Sequence, residues 1–254
     1  MNKTGLRWGL STDVGMVRQV NQDSVMANGS LFAVADGMGG HRGGEVASGI
    51  AAGHFRIVEK ISTVDELERA VVSANDMIRA RAGADSDLAG MGTTLVALGV
   101  LPLDAPDSPL RMAAVNVGDS RLYLYENDAL VQVSVDHSLV GELTRAGQLT
   151  EEEAARHPQR NVVTRALGAE SKVVVDSWTI PVRLGQRYLM CSDGLINEVP
   201  DEDITPVLAE MHDPEEAARY LVNAANRSGG RDNITVLIVD VVEAESCDPA
   251  AATS

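Results

Sequence analysis

Cysteine, aromatic residues and basic clusters are all scarce in this chain, and each scarcity removes a class of protein. Two cysteines in 254 residues are too few for a disulfide-stapled scaffold. Cys191 lies in a hydrophobic run and Cys247 in a polar tail, so both are expected to be free thiols suited to a reducing compartment. Aromatics amount to 3%, which leaves Val, Leu, Ile, Ala and Met to build the core. Lys and Arg number 21 against 37 Asp and Glu, for a net charge of −16. No basic cluster could follow a phosphate backbone, which argues against nucleic acid and anionic membrane as partners. The longest apolar stretch, Thr94 to Leu103, is too short to span a bilayer. The N-terminus MNKTGLRWGLS lacks the apolar segment of a signal peptide. A cytoplasmic protein is expected, with monomer as the default state.

The remaining composition, 44% hydrophobic and 23% charged, is that of a soluble globular chain. Strand-like runs dominate: 31–36, 92–100, 110–118, 120–125, 129–135, 172–180, 186–193 and 233–242 are short, apolar and turn-bounded. Between 43 and 82 the period turns helical. A helix over 44–60, in a stretch carrying Val46, Ile50, Ile57 and Ile61, precedes one opened by Thr63 and Glu66, a capping-box spacing. A later helix starts at Asp213-Pro214. Many short-turn strands predict antiparallel sheets with helices packed outside. Residues 138–167 break the pattern with two short helical segments, the second capped by Thr150 and Glu153, and read as a surface flap. Residues 243–254 read as a flexible tail. One domain over 1–242 is expected, since no internal repeat or linker interrupts it.

Four strand runs end or begin at aspartate: Asp36-Gly37, Asp119-Ser120, Asp193-Gly194 and Asp232-Asn233. Asp-Gly after a strand is ordinarily a turn. If the four met at one end of the sheets, they would repel by about 4 kcal/mol per pair at 4 Å in an effective dielectric near 20. Such a cluster needs cations, and oxygen ligands without clustered His or Cys point to Mg²⁺ or Mn²⁺. The glycines of GMGGHRGG (37–44) would let backbone atoms approach an ion or a phosphate. No Gly-Lys-Ser/Thr follows, so this is not a nucleotide-binding P-loop.

TDVGMVRQVNQD (12–23), VADGMGGHRGGEVAS (34–48), GMGTTLVA (90–97), VNVGDSRLY (115–123), DHS (136–138), HPQRNVVTRALG (157–168), CSDGL (191–195) and GGRDNITVLIV (229–239) resemble, in order, the motifs of the bacterial metal-dependent serine/threonine protein phosphatases (the PPM, or type 2C, family). The resemblance covers about residues 6–242. It implies an α+β fold, a four-layer α-β-β-α sandwich with two central antiparallel sheets flanked by helices and metals at one edge. It also implies that Asp36 bridges two Mn²⁺ or Mg²⁺ ions, that the Gly37 carbonyl binds the second, and that Asp193 and Asp232 hold the first. Asp119 matches the position of a third, weaker metal in bacterial members. Arg18 matches the arginine that clamps the substrate phosphate, and Asp23 an acidic position acting on the second metal through waters. Gln22 stands where many relatives have glutamate, so one outer carboxylate is replaced.

The implied reaction is hydrolysis of phosphoserine and phosphothreonine in proteins, the targets of a serine/threonine kinase, by a metal-bridging water without a covalent enzyme intermediate. Cys191 lacks an arginine six residues on, where Asn197 stands, so a cysteine-phosphatase loop is not expected. Eukaryotic relatives often carry histidine where Met38 stands, and methionine cannot protonate a leaving group. His41 reads as a solvated loop histidine, and His137 and His157 as structural caps or turn residues. Met16 and Met38 read as packing near the cleft. Two rival classes accompany this reading, a phosphoesterase of small molecules and a non-catalytic phosphoprotein binder. The second would lack Asp36, Asp193 or Asp232, and all three are present.

Overall fold

A computed structural model describes residues 4–39, 42–105 and 108–243. One sheet is ordered β1 (Thr4–Asp13), β11 (Ile234–Glu243), β10 (Arg187–Cys191), β7 (Arg121–Glu126) and β8 (Ala129–Gln132). The other is ordered β2 (Asp23–Ala27), β3 (Leu31–Met38), β5 (Leu95–Val100), β6 (Arg111–Val117) and β9 (Asp176–Pro181), with β4 (Gly92–Thr93) paired to β3. Every pairing is antiparallel.

Period-two alternation sorts each strand's side chains into two apolar layers. Phe32, Val34, Val96 and Leu98 meet Leu122, Tyr188, Met190, Leu237 and Val239 between the sheets. Their neighbours Leu31, Ala33, Leu95 and Ala97 face α1 (Gly43–Ile57) and α2 (Val64–Ala84). On the far side Leu189, Cys191, Val236 and Ile238 pack against α6 (Asp201–Glu210) and α7 (Pro214–Ser228). Burial on both faces explains why the strands read as unbroken apolar runs. Full burial of each large side chain contributes roughly 1.5–3 kcal/mol. The result is the expected α-β-β-α sandwich.

The helix caps fall where expected: Thr63 accepts from the Glu66 amide and Asp213 from those of Glu215 and Glu216. Other boundaries move. The 92–100 run divides at Thr94, whose amide and hydroxyl turn to the Asp36 backbone. The strands expected over 129–135 and 172–180 shrink to 129–132 and 176–181. β1 and β2 were not anticipated, nor were α5 (Asp193–Ile196) and α6, which carries an internal Pro206. α1 ends at Ile57, which is exposed, and its buried face is Gly43, Gly44, Ala47, Ser48, Ala51, Ala52 and Phe55. Small residues let this helix lie close against the sheet. The flap contains α3 (Leu139–Arg145) and α4 (Glu151–Ala155), the latter closed by the Thr150–Glu153 capping box. His41, Cys247 and the tail from residue 244 lie outside the described residues.

At the end of β10 remote from Asp193, buried Arg187 forks onto Asp240 and donates to the carbonyls of Leu208, Met211 and His212. It thereby satisfies the C-terminus of α6, which has no basic residue in its own last turn. Arg187→Ala is expected to lower the unfolding free energy by about 3 kcal/mol, since it leaves the buried Asp240 carboxylate with only the half-exposed Arg7 at 3.2 Å. Urea denaturation checks this. A paired Arg187→Met/Asp240→Leu variant should recover much of the loss.

Candidate metal and phosphate site

The register of β2 on β3 sets Asp23 directly opposite Asp36. Like charges facing each other across a strand pair are destabilising, so the backbone here is firmly tied. The Asp36 amide donates to Thr94 Oγ1 at 3.0 Å. Its carbonyl accepts from the Thr94 amide at 2.9 Å and from Thr93 Oγ1 at 2.8 Å. Gly37 follows against the start of α1, where a Cβ would stand 2.2 Å from the Gly44 carbonyl oxygen. Only glycine fits, and its amide bonds the Gln22 carbonyl at 3.1 Å.

Asp119 enters from the β6–β7 turn, which is linked to the Asp36 support by a 2.7 Å bond between Thr94 and Ser120 hydroxyls. Asp193 begins α5 directly after Ser192, whose hydroxyl donates to Asp23 Oδ2 at 2.7 Å. Gly194 allows the chain to pass Asn233, where a Cβ would sit 1.9 Å from the Asn233 carbonyl oxygen. Asp232 precedes β11. Asn233 beside it donates to the carbonyls of Val14 and Val20 at 2.9 and 3.0 Å, and accepts from the Gln22 amide. One asparagine thus binds the loop carrying Arg18 to the strand end carrying Asp232.

Asp23, Asp36, Asp119 and Asp193 lie close enough to disturb one another's ionisation. Loss of solvation, then repulsion by Asp193 and Asp232, raises the Asp23 carboxyl to about 7. Loss of solvation, then Asp193 and Asp136, raises Asp119 to about 8. Asp193 rises to about 6 through loss of solvation and then Asp232, and Asp36 rises through loss of solvation and then Asp23. Asp119 is buried, and Asp23, Asp36 and Asp193 are half-buried.

The fit to a divalent cation rests on two features. The donors are all carboxylate or backbone oxygens, the set preferred by hard ions. In addition, Asp23 Oδ1 is buried without a hydrogen-bond partner, a cost of about 1–3 kcal/mol that a bridging water on an ion would remove. Among the described residues no three Asp, Glu, His or Cys side chains are closed around one point. Asp232 gives one oxygen to Arg18 at 2.7 Å and the other to the Asn233 amide at 2.8 Å. The expected ligand Asp232 is therefore held by the expected phosphate clamp, Arg18, rather than turned wholly toward Asp36 and Asp193.

Other nearby arginines are committed elsewhere. Arg231 forks onto Glu198, Arg121 onto Asp136, and Arg165 bonds Asp176. His137 is buried with Nδ1 accepting from the Gly118 amide and Nε2 facing Asp176, and burial lowers its pKa. It is structural, as expected. Met16 departs from expectation: it is 70% exposed, because only its backbone is pinned, to the Gly230 carbonyl. Thr93, Thr94, Ser192 and Asn233, which support the site, are not singled out by spacing or residue type. All four lie inside the quoted motifs, but a hydroxyl or amide that holds a ligand carries no spacing signal of its own.

Known proteins resemble this chain in sequence and fold. The protein phosphatase 2C family model matches residues 16–226. The serine/threonine phosphatase stp of Listeria innocua is 40% identical over 246 residues, covering 90% of this chain and 93% of that protein. The serine/threonine protein phosphatase PstP of Mycobacterium tuberculosis is 40% identical over 249 residues, 94% of this chain and 45% of that protein. The crystal structure of M. tuberculosis PstP/Ppp superposes with a TM-score of 0.87 at 38% identity, covering 94% of this chain and 99% of that one. The PstP catalytic domain in complex with two manganese ions gives 0.85 at 37% identity, over 94% and 100%. A family model matching most of the chain, a shared sandwich and this extent of identity make the chain a member of the protein phosphatase 2C family.

Proposed function

We propose that the chain hydrolyses phosphoserine and phosphothreonine in proteins, with two Mn²⁺ or Mg²⁺ ions held at the aspartate cluster. The observation that carries this is the cluster itself, several mutually repelling carboxylates at the sheet ends with one arginine at their mouth. Asp36, Asp193, Asp232 and the Gly37 carbonyl would hold the two ions, with Asp119 available to a third. Asp23, steadied by Ser192, would act through water at its orphan oxygen. When bound, the ion pair supplies a water acidic enough to attack phosphorus at neutral pH and neutralises the phosphoryl oxygens. Arg18 would exchange Asp232 for the substrate phosphate, which its planar fork suits. Cys191 takes no part: burial pushes its thiol up to about 12, and it faces the core. The family assignment and the retained aspartates favour a protein phosphatase over a small-molecule phosphoesterase or a non-catalytic binder.

The finer setting belongs to the same proposal: a cytoplasmic monomer opposing a serine/threonine kinase. The buried free thiol Cys191 suits a reducing compartment. One catalytic domain over 1–242 with a flap over 138–167 completes the reading. The flap is fastened at its ends by pairings of Thr93 with Leu167 and Ser138 with Val163, while α3 buries none of its residues, as a movable wall requires.

Phosphate release from a phosphothreonine peptide should require Mn²⁺ or Mg²⁺ and vanish with EDTA. Asp193→Asn should reduce it by at least about 100-fold, and turnover unaffected by both would overturn the proposal. Arg18→Ala should cost about 10–100-fold in kcat/KM, the loss of a charge-assisted fork worth about 1.5–3 kcal/mol, while Mn²⁺ binding by calorimetry is not weakened. The pH dependence of the metal-free protein follows from the raised carboxyls. Their folded-state pKa values exceed the ordinary 3.8, so their contribution to stability is complete below about pH 4. It is lost as pH climbs through about 6 to 8. In EDTA the Tm should fall across that window, and the gain on adding Mn²⁺ should widen. A metal-free Tm that rises over the same range would contradict the cluster.

A further inference from the structure

The loop joining β1 to β2 presents apolar side chains to water around Arg18. Met16 is 70% exposed, Val17 65% and Val20 46%, and the Arg18 side chain between them is 52% exposed. Isolated exposed apolar residues are ordinary on a protein surface, but three within five positions, centred on a phosphate clamp, form a patch. The loop cannot fold them under. The Met16 amide is pinned to the Gly230 carbonyl at 2.7 Å, and Asn233 holds the Val14 and Val20 carbonyls. Gly15 turns at φ +80°, where a Cβ would stand 2.2 Å from the Asp232 carbonyl oxygen. The segment carrying Asp232 therefore fixes both the direction of Arg18 and the outward face of its apolar neighbours.

We propose that Met16, Val17 and Val20 form a docking shelf for apolar side chains flanking the phosphorylated residue of a protein substrate, so that phosphosites with apolar neighbours are preferred. The proposal rests on the reading of Arg18 as the phosphate clamp. A phosphate held there places an extended chain across the shelf, since each residue advances about 3.3–3.6 Å and the shelf residues flank Arg18 within two positions. Charge points the same way. Arg18 is the only basic residue between 14 and 23, a stretch followed by the aspartate cluster in a chain of net charge −16. Acidic flanks would meet no second cation on this loop, whereas apolar flanks would remove apolar surface from water on both partners.

Two phosphothreonine peptides test this, one with Val and Leu at the two positions on either side and one with Ser there. Each is assayed with Mn²⁺ against wild type and the Met16→Ser/Val17→Ser/Val20→Ser variant, with p-nitrophenyl phosphate as a small control substrate. Wild type should show a KM about 10-fold lower for the apolar peptide. The variant should raise that KM to the level of the serine peptide, leaving kcat and p-nitrophenyl phosphate turnover within about two-fold. Fluorescence anisotropy of the labelled apolar peptide should show the same loss of affinity. An unchanged Tm verifies that these exposed substitutions spare the fold. Equal KM for both peptides in wild type, or equal losses for both in the variant, overturns the shelf. Concentration-dependent dimerisation of wild type that the variant abolishes would assign the patch to self-association and overturn it as well. Turnover of p-nitrophenyl phosphate with no peptide cleaved at all would instead overturn the protein-substrate reading, and the shelf with it.

Discussion

Repulsion among carboxylates is the constraint on which the rest of this molecule depends. Asp23, Asp36, Asp119 and Asp193 converge from different strand ends, and their raised pKa values register what that convergence costs without a cation. A polypeptide left to itself would let such groups drift apart. Here the backbone prevents it: Thr93 and Thr94 grip Asp36, Ser192 bonds Asp23, and Asn233 ties the Arg18 loop to the strand behind Asp232. Close packing does the same work, with Gly37 against Gly44 and Gly194 against Asn233 allowing approaches that any side chain would block.

The two ends of the sandwich treat charge in opposite ways. Away from the site, Arg187 and Asp240 neutralise each other while Arg187 donates to the carbonyls at the end of α6, and Arg7 joins the same network through Asp240. At the site the carboxylates outnumber the cations. Arg121, Arg165 and Arg231 each face an acidic partner outside the cluster. Arg18 alone among these is paired to an aspartate of the cluster, Asp232. Any cation drawing on Asp232 would compete with Arg18 for that carboxylate. His137, at the base of the flap, is bonded to the Gly118 backbone, Asp176 and Arg165, which makes it part of the frame rather than of the chemistry.

Much of this was legible in the amino-acid order. The four Asp-bearing strand tips, the glycine-rich turn after Asp36, the Thr63 and Asp213 caps and most strands follow from local chemistry, because turn residues, caps and alternating burial act over a few positions. The ordered motifs identify the family. Less local features escaped. β1 carries Leu6, Trp8 and Leu10 in alternation but also Gly and Arg, and it becomes a strand by pairing with β11 more than two hundred residues away. On α1, Val46 and Ile50 pack partly against the core as periodicity suggests, but Ile57 is exposed, and close approach to the sheet selects glycine, alanine and serine beside Phe55.

By itself, then, the sequence determined antiparallel sheets with helices packed outside and, through its ordered motifs, the family and the sandwich that the family implies, since these depend on residue type and order along the chain. Tertiary structure decided which groups meet. The pairing of Arg18 with Asp232, the orphan oxygen of Asp23, the commitment of Arg231 to Glu198 and the outward face of Met16, Val17 and Val20 all join segments far apart in the chain. Their energies depend on distance and solvation in three dimensions, which no local pattern encodes.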